Sequence, residues 1–104
     1  MARVIWSIDA ANDYEAIGEY IAKQSPAAAY RVCERIMLAT RRLAKHPRAG
    51  HSVLEPVPIP LRQLVVGKYR ILYRLGSDDV CQIIAIVHAS RDLRKFLDER
   101  LGLP

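Results

Sequence analysis

The hydrophobic period changes near residue 60, and this change restricts the fold more than anything else in the chain. From residue 10 to residue 43 the apolar side chains recur every three or four positions, whereas from Leu61 onwards they alternate. The first period lays them along one stripe of a helix, and the second puts them on one face of a strand. Between the two regimes, Arg48 to Pro60 carries Gly50 and three prolines, Pro56, Pro58 and Pro60. Proline has no backbone N–H and clashes inside a helix, so neither a helix nor a central strand crosses this segment. Its Val53, Leu54, Val57 and Ile59 are too apolar for a disordered linker, which predicts an ordered, extended connector.

The helical half opens with a strand pattern, Val4, Trp6 and Ile8 alternating with Arg3, Ile5 and Ser7. Asp9 is placed to cap a first helix whose apolar stripe is Ala10, Tyr14, Ile17 and Ile21. Asp13, Glu15, Glu19 and Lys23 lie off that stripe. Ser25–Pro26 marks a second start, because serine caps well and proline at the first helical position gives up an N–H that has no partner anyway. This helix is predicted to run to about Lys45 on the stripe Ala29, Val32, Ile36, Ala39 and Leu43. Arg31, Arg35 and Arg42 share a separate face, and His46–Pro47 supplies the stop. The link at Gln24–Ser25 is short enough to make the two helices an antiparallel hairpin.

In the second half, Leu61–Val66 and Tyr69–Leu75 flank Gly67–Lys68 as a β-hairpin. Val80–His88 is a third strand, and its unbroken apolar run from Ile83 to Val87 predicts a central position covered on both faces. Asp92–Leu101 forms a last helix, with Leu93, Phe96, Leu97 and Leu101 on one face and Gly102 beyond its end. The order is β-α-α-β-β-β-α: one α+β domain over residues 1–104, a helical hairpin packed on a small, antiparallel-rich sheet.

Several functions are argued against by what the chain lacks. No stretch approaches the roughly 20 apolar residues of a membrane span. The N-terminus goes straight into a patterned segment without the apolar core of a signal peptide, so a cytoplasmic protein is expected. Cys33 and Cys81 lack C-x-x-C spacing and read as small core residues. His46, His51 and His88 are isolated, so no metal site is expected, and no cofactor motif is present. Ser90 lies two residues from His88 without a third group to orient the pair. Asp78–Asp79 and Asp98–Glu99 read as solvated carboxylates.

The net charge of +5, with twelve of the sixteen basic residues arginine, points to nucleic acid or an acidic protein as partner. Five basic residues gather in the strand half: Arg62, Arg70, Arg74, His88 and Arg91. Such a set could hold a phosphodiester and stabilise its charge during cleavage, or grip an acidic protein surface. The alternative is structural, with strand arginines pairing with Asp92, Asp98 or Glu99 of the last helix.

Taken in order, the residues resemble those of a known family. Val4-x-Trp6 and Asp13-Tyr14-x-x-Ile17-x-x-Tyr20-Ile21-Ala22 are similar to the opening of ParE/RelE superfamily toxins. So are Pro26-x-Ala28-Ala29-x-Arg31-Val32 and Leu43-Ala44-x-His46-Pro47-x-x-Gly50. The run Arg62-Gln63-Leu64-Val65-Val66, with Tyr69-Arg70-Ile71-x-Tyr73-Arg74, resembles the ParE hairpin, and Val87-His88-Ala89-Ser90-Arg91-Asp92 its closing motif. The resemblance implies the toxin of a type II toxin–antitoxin pair, held by a ParD-like antitoxin that folds on binding, often in a heterotetramer. ParE-like members poison DNA gyrase, and RelE-like members cut mRNA in the ribosomal A site. For the second class, Arg70, His88 and Arg91 would be the catalytic candidates. Yet Leu64, Val65 and Val66 stand where those ribonucleases carry lysines, and the last tyrosine is Tyr73. The resemblance therefore favours a gyrase inhibitor that performs no chemistry, with Arg62, Arg70, Arg74, His88 and Arg91 as target-binding candidates and Arg31, Arg35 and Arg42 as antitoxin-binding candidates. The ribonuclease and an inactive antitoxin-binding module are the alternatives, and direct nucleic-acid binding is expected only of the ribonuclease.

Overall fold

The computed structural model describes residues 1–102. The elements are β1 (Arg3–Trp6), α1 (Ile8–Ala22), α2 (Pro26–Arg42), β2 (His51–Ser52), β3 (Arg62–Val66), β4 (Tyr69–Leu75), β5 (Val80–His88) and α3 (Leu93–Arg100). The sheet order is β1-β5-β4-β3-β2, antiparallel throughout except for the parallel pair β1–β5. The expected α+β arrangement is therefore present, with one added edge strand, His51–Ser52, inside the proline-rich connector. An edge tolerates what a central strand cannot, because its outer N–H groups need no ladder partner.

Two apolar cores sandwich the sheet. On one face, Ala10 of α1 and Ile36 of α2, with Leu43 just past its end, pack on Ile71, Tyr73, Cys81, Ile83 and Ile86. On the other, Leu93, Phe96 and Leu97 of α3 cover Leu72, Ala85 and Val87, and the connector adds Val53, Val57 and Ile59. The connector is thus a wall of the second core, which explains its apolar content. Cys33 is half-buried and Cys81 buried, both as free thiols.

The unbroken apolar run of β5 follows from a bulge. Leu72 lies opposite Ala85 while Tyr73 lies opposite Ile83, which leaves Ile84 as the extra residue. One added residue reverses the parity of the strand. Cys81 and Ile83 therefore join Ile86 in the first core, and Ala85 and Val87 enter the second.

Three local expectations are corrected. Ser7, not Asp9, caps α1: its Oγ accepts the Ala10 N–H at 3.0 Å, and Asp9 falls in the first turn. The chain leaves the sheet at this serine, whose own N–H bonds Ile83 O at 3.0 Å, so Ile8 starts the helix 81% exposed instead of continuing the strand. Helix α2 stops at Arg42, before Lys45, because Leu43, Ala44 and Lys45 bond three residues back in tightening turns.

One buried tyrosine fastens the end of the hairpin to the sheet. Tyr73 Oη donates to Pro47 O at 2.8 Å and accepts from Gly50 N at 2.9 Å, and burial pushes its pKa above the usual value. Gly50 has no room for a side chain, since a Cβ there would lie 2.6 Å from the Tyr73 ring and 2.7 Å from Gln63 O.

Candidate functional site

A groove of about 350 Å³ runs between α2 and β3. Leu38 and Ala39 wall one side, Leu64, Val65 and Val66 the other, and Arg35 and Arg42 rim it. These arginines are seven residues apart, two helical turns, so their stems stand about 10 Å from each other along the axis. Among the described residues neither is in an ion pair. Arg31 is exposed on α2 and does not line the groove. Strand β2 pairs with β3 only at Arg62 and Gln63, and beyond them Val65 stands 66% exposed. The groove therefore joins an apolar floor, uncompensated arginines and a stretch of β3 edge that β2 leaves free, features suited to an acidic, partly apolar segment.

The five basic residues of the strand half do not converge. Arg70 and Val65 stand opposite each other on the face that carries Leu72 and α3. Its Nη1 reaches Glu55 Oε2 at 2.5 Å, and its Nη2 donates to Ala89 O at 3.1 Å. Arg74 lies exposed on the same strand. Arg91, in the loop after β5, sets its guanidinium 4.8 Å from the centroid of the Phe96 ring. Arg62 stands opposite Tyr73, on the face turned to the helical hairpin, and donates to Gly50 O at 2.7 Å. His88 also belongs to that face, opposite Tyr69, and its ring meets the Tyr69 ring edge-on at 5.6 Å. The sheet thus separates His88 and Arg62 from Arg70.

The expected structural partners are also replaced. Neither Arg70 nor Arg91 pairs with Asp92, Asp98 or Glu99, and Asp92 instead caps α3 by accepting the Lys95 N–H at 3.1 Å. Arg70 takes Glu55 from the connector. Its hydrogen bond holds the Glu55 carboxyl below the usual carboxylate range. A depressed carboxylate stabilises the fold above its unfolded pKa and loses that contribution as pH falls through its folded pKa. Glu55 is 40% exposed, so Glu55→Gln should cost less than about 1 kcal/mol at neutral pH. The difference between variant and wild type should shrink in acid, below the carboxylate range, which urea midpoints at the two pH values would measure. A gap that is unchanged in acid would show that the charge of Glu55 contributes nothing.

Sequence reasoning missed one constellation. Beyond Trp6, β1 no longer covers the edge of β5, and Asp13 of α1 takes over by accepting the Ile86 N–H at 3.0 Å. Arg100 of α3 clasps the same carboxylate with Nη2–Oδ1 at 2.8 Å and Nη1–Oδ2 at 3.0 Å. Its guanidinium also lies 4.7 Å from the Phe96 centroid. The available signal was small: Asp13 lies three residues after Ala10 and four before Ile17, a spacing that borders the apolar stripe.

Comparisons with known proteins agree with this geometry. Toxin RelE2 of Caulobacter vibrioides is 35% identical over 91 residues, covering 88% of this chain and 99% of the relative. Two solved structures share the fold. One is the chromosomal ParDE toxin–antitoxin system from P. aeruginosa, with a TM-score of 0.71 and 22% identity over 86% of this chain and 98% of that one. The other is a mutant of E. coli toxin RelE in the free state, with a TM-score of 0.66 and 16% identity over 99% and 100% of the two chains. The family described as the ParE toxin of the type II toxin–antitoxin system parDE matches residues 4–93. With a match over that span and a fold shared with both branches, the chain belongs to the ParE toxin family of type II toxin–antitoxin systems.

Proposed function

We propose that the protein is a cytoplasmic toxin that inhibits DNA gyrase by binding it, without chemistry of its own, and that a ParD-like antitoxin neutralises it in a heterotetramer. The observation that carries this reading is the division of the basic set by the sheet. RNA cleavage needs an acid–base group and charge-stabilising cations within hydrogen-bond reach of one phosphodiester. His88 lies on the opposite face from Arg70, Arg70 is already engaged by Glu55 and Ala89 O, and Tyr73 is buried under the 47–50 turn. Arg74 and Arg91 keep exposed side chains and are the target-binding candidates this reading retains. The antitoxin belongs in the α2–β3 groove, its acidic segment folding against the apolar floor beside Arg35 and Arg42.

Purified protein added to gyrase and relaxed plasmid should suppress supercoiling, and Arg91→Ala should relieve that inhibition while melting like wild type. Codon-dependent cleavage of mRNA on translating ribosomes, lost on Arg70→Ala or His88→Ala, would replace this reading with the RelE-type ribonuclease. A chain that binds antitoxin yet neither inhibits gyrase nor arrests growth would be an inactive module.

A further inference from the structure

A second cavity, about 580 Å³, opens where the end of α1 and the middle of α2 meet the β3–β4 turn. Its volume lies within the range of small-ligand pockets, roughly 300–1,000 Å³. Three basic side chains converge on it from three elements: Arg35 from α2, Lys68 from the turn and His88 from the end of β5. No carboxylate is among the described residues that line it, and neither Arg35 nor Lys68 is in an ion pair among them. Arg35 and Lys68, two cations in one concavity without counter-charge, repel each other and focus a positive potential into it, which a bound anion relieves. The rest of the lining is aromatic and apolar, with Tyr20 at 68% exposure, Tyr69 against His88, and Val32.

The histidine is oriented for the task. The Ser90 backbone N–H donates to His88 Nδ1 at 3.1 Å, and Ser90 Oγ lies 2.7 Å from the same nitrogen. A backbone N–H can only donate, so Nδ1 is the acceptor and the proton of the neutral ring sits on Nε2. The ring is therefore left with a donor to offer at its other nitrogen. The turn leaves space at the rim because Gly67, at φ +58°, has no side chain there.

We propose that this cavity binds a free nucleotide, with the phosphate held by Arg35, Lys68 and His88 and the base laid against Tyr20 and Tyr69. The arginine fork matches phosphate oxygens in pairs, lysine adds a point charge, and tyrosine faces suit a base. A peptide carboxylate would be served by the charges but would make no use of the two aromatic rings beside them. The site shares Arg35 and Val66 with the antitoxin groove but does not rest on the gyrase reading.

The test is titration of the full chain with adenosine monophosphate, inorganic phosphate and adenosine, followed by the amide resonances of Gly67 to Tyr69 and of His88. The nucleotide should bind at least about tenfold more tightly than phosphate or adenosine alone, and Lys68→Glu should weaken it by about tenfold or more. Tyr20→Ala, at an exposed position that carries no fold burden, should weaken the nucleotide several-fold and leave phosphate unchanged. Arg94→Glu, at an exposed position of α3 remote from the cavity lining, should do neither. The proposal is overturned if the nucleotide leaves these resonances unmoved, or if phosphate binds as well as the nucleotide. Equal losses in Lys68→Glu and Arg94→Glu, or displacement of the nucleotide by lower concentrations of an acidic peptide, would overturn it too.

Discussion

Asp13→Ala should destabilise the protein by about 3 kcal/mol, because one side chain satisfies two groups at once, and the other contacts of Arg100, Asp9 Oδ2 at 3.9 Å and Ile84 O at 3.4 Å, are long. Removing the carboxylate leaves the Arg100 guanidinium, 18% exposed, without its bidentate partner, and leaves the Ile86 N–H unbonded on the edge of β5. The carboxylate is itself only 16% exposed, so water replaces it poorly. For a domain of this size the loss corresponds to a fall of roughly 10–15 °C in melting temperature. Asp13→Asn keeps an oxygen acceptor but not the charge and should recover about half of it. Thermal unfolding followed by circular dichroism reads both. If Asp13→Ala melts within about 2 °C of wild type, the clasp contributes little and α3 is held by its apolar face, Leu93, Phe96 and Leu97.

Reversing both groove arginines, Arg35→Glu with Arg42→Glu, should slow association with the antitoxin about a hundredfold at low salt while leaving the fold intact. Both side chains are exposed and unpaired among the described residues, so no internal partner is lost. Their effect is on encounter, since two like charges at the mouth would then repel the acidic segment they had attracted. The salt dependence of the rate should flatten as well, because screening acts on the steering term. Stopped-flow mixing across a salt series measures both quantities. Unchanged low-salt rates would remove this groove as the docking surface, whatever the toxin does to its target.

Period and punctuation made most of the architecture legible. The strands Tyr69–Leu75 and Val80–His88 were readable to the residue, because alternation and turn glycines fix register locally. The stripe of α2 was readable for the same kind of reason. Two of the three misplacements, at Asp9 and Ile8, share a tertiary cause at Ser7, and the third, at the end of α2, is local. Ser7 captures the cap because the sheet holds its N–H, and α2 closes early into turns that lead to the Tyr73 anchor. The site was legible only in part. Arg35 and Arg42 followed from helical spacing alone, whereas the fate of Arg62 and Arg70 depends on the connector and on the loop after β5. Composition shows that a chain has spare arginines, but not which ones the fold has already occupied. Face assignment at His88 also turned on a bulge that no alternation pattern reveals, since Ile84 is as apolar as its neighbours.

The pairing of β1 with β5 has a kinetic meaning. Arg3 sits opposite Val80, so the parallel ladder joins segments separated by about three-quarters of the chain. The helical hairpin and the β3–β4 turn need only nearby residues and can form within microseconds, while closing the longest loop is entropically slow. During synthesis the first strand must wait, its apolar face uncovered, until the fifth has been made. A growing chain therefore holds the groove elements α2 and β3 before it holds a finished sheet. An antitoxin that docks in that groove, as proposed above, would then meet it before the toxin is complete.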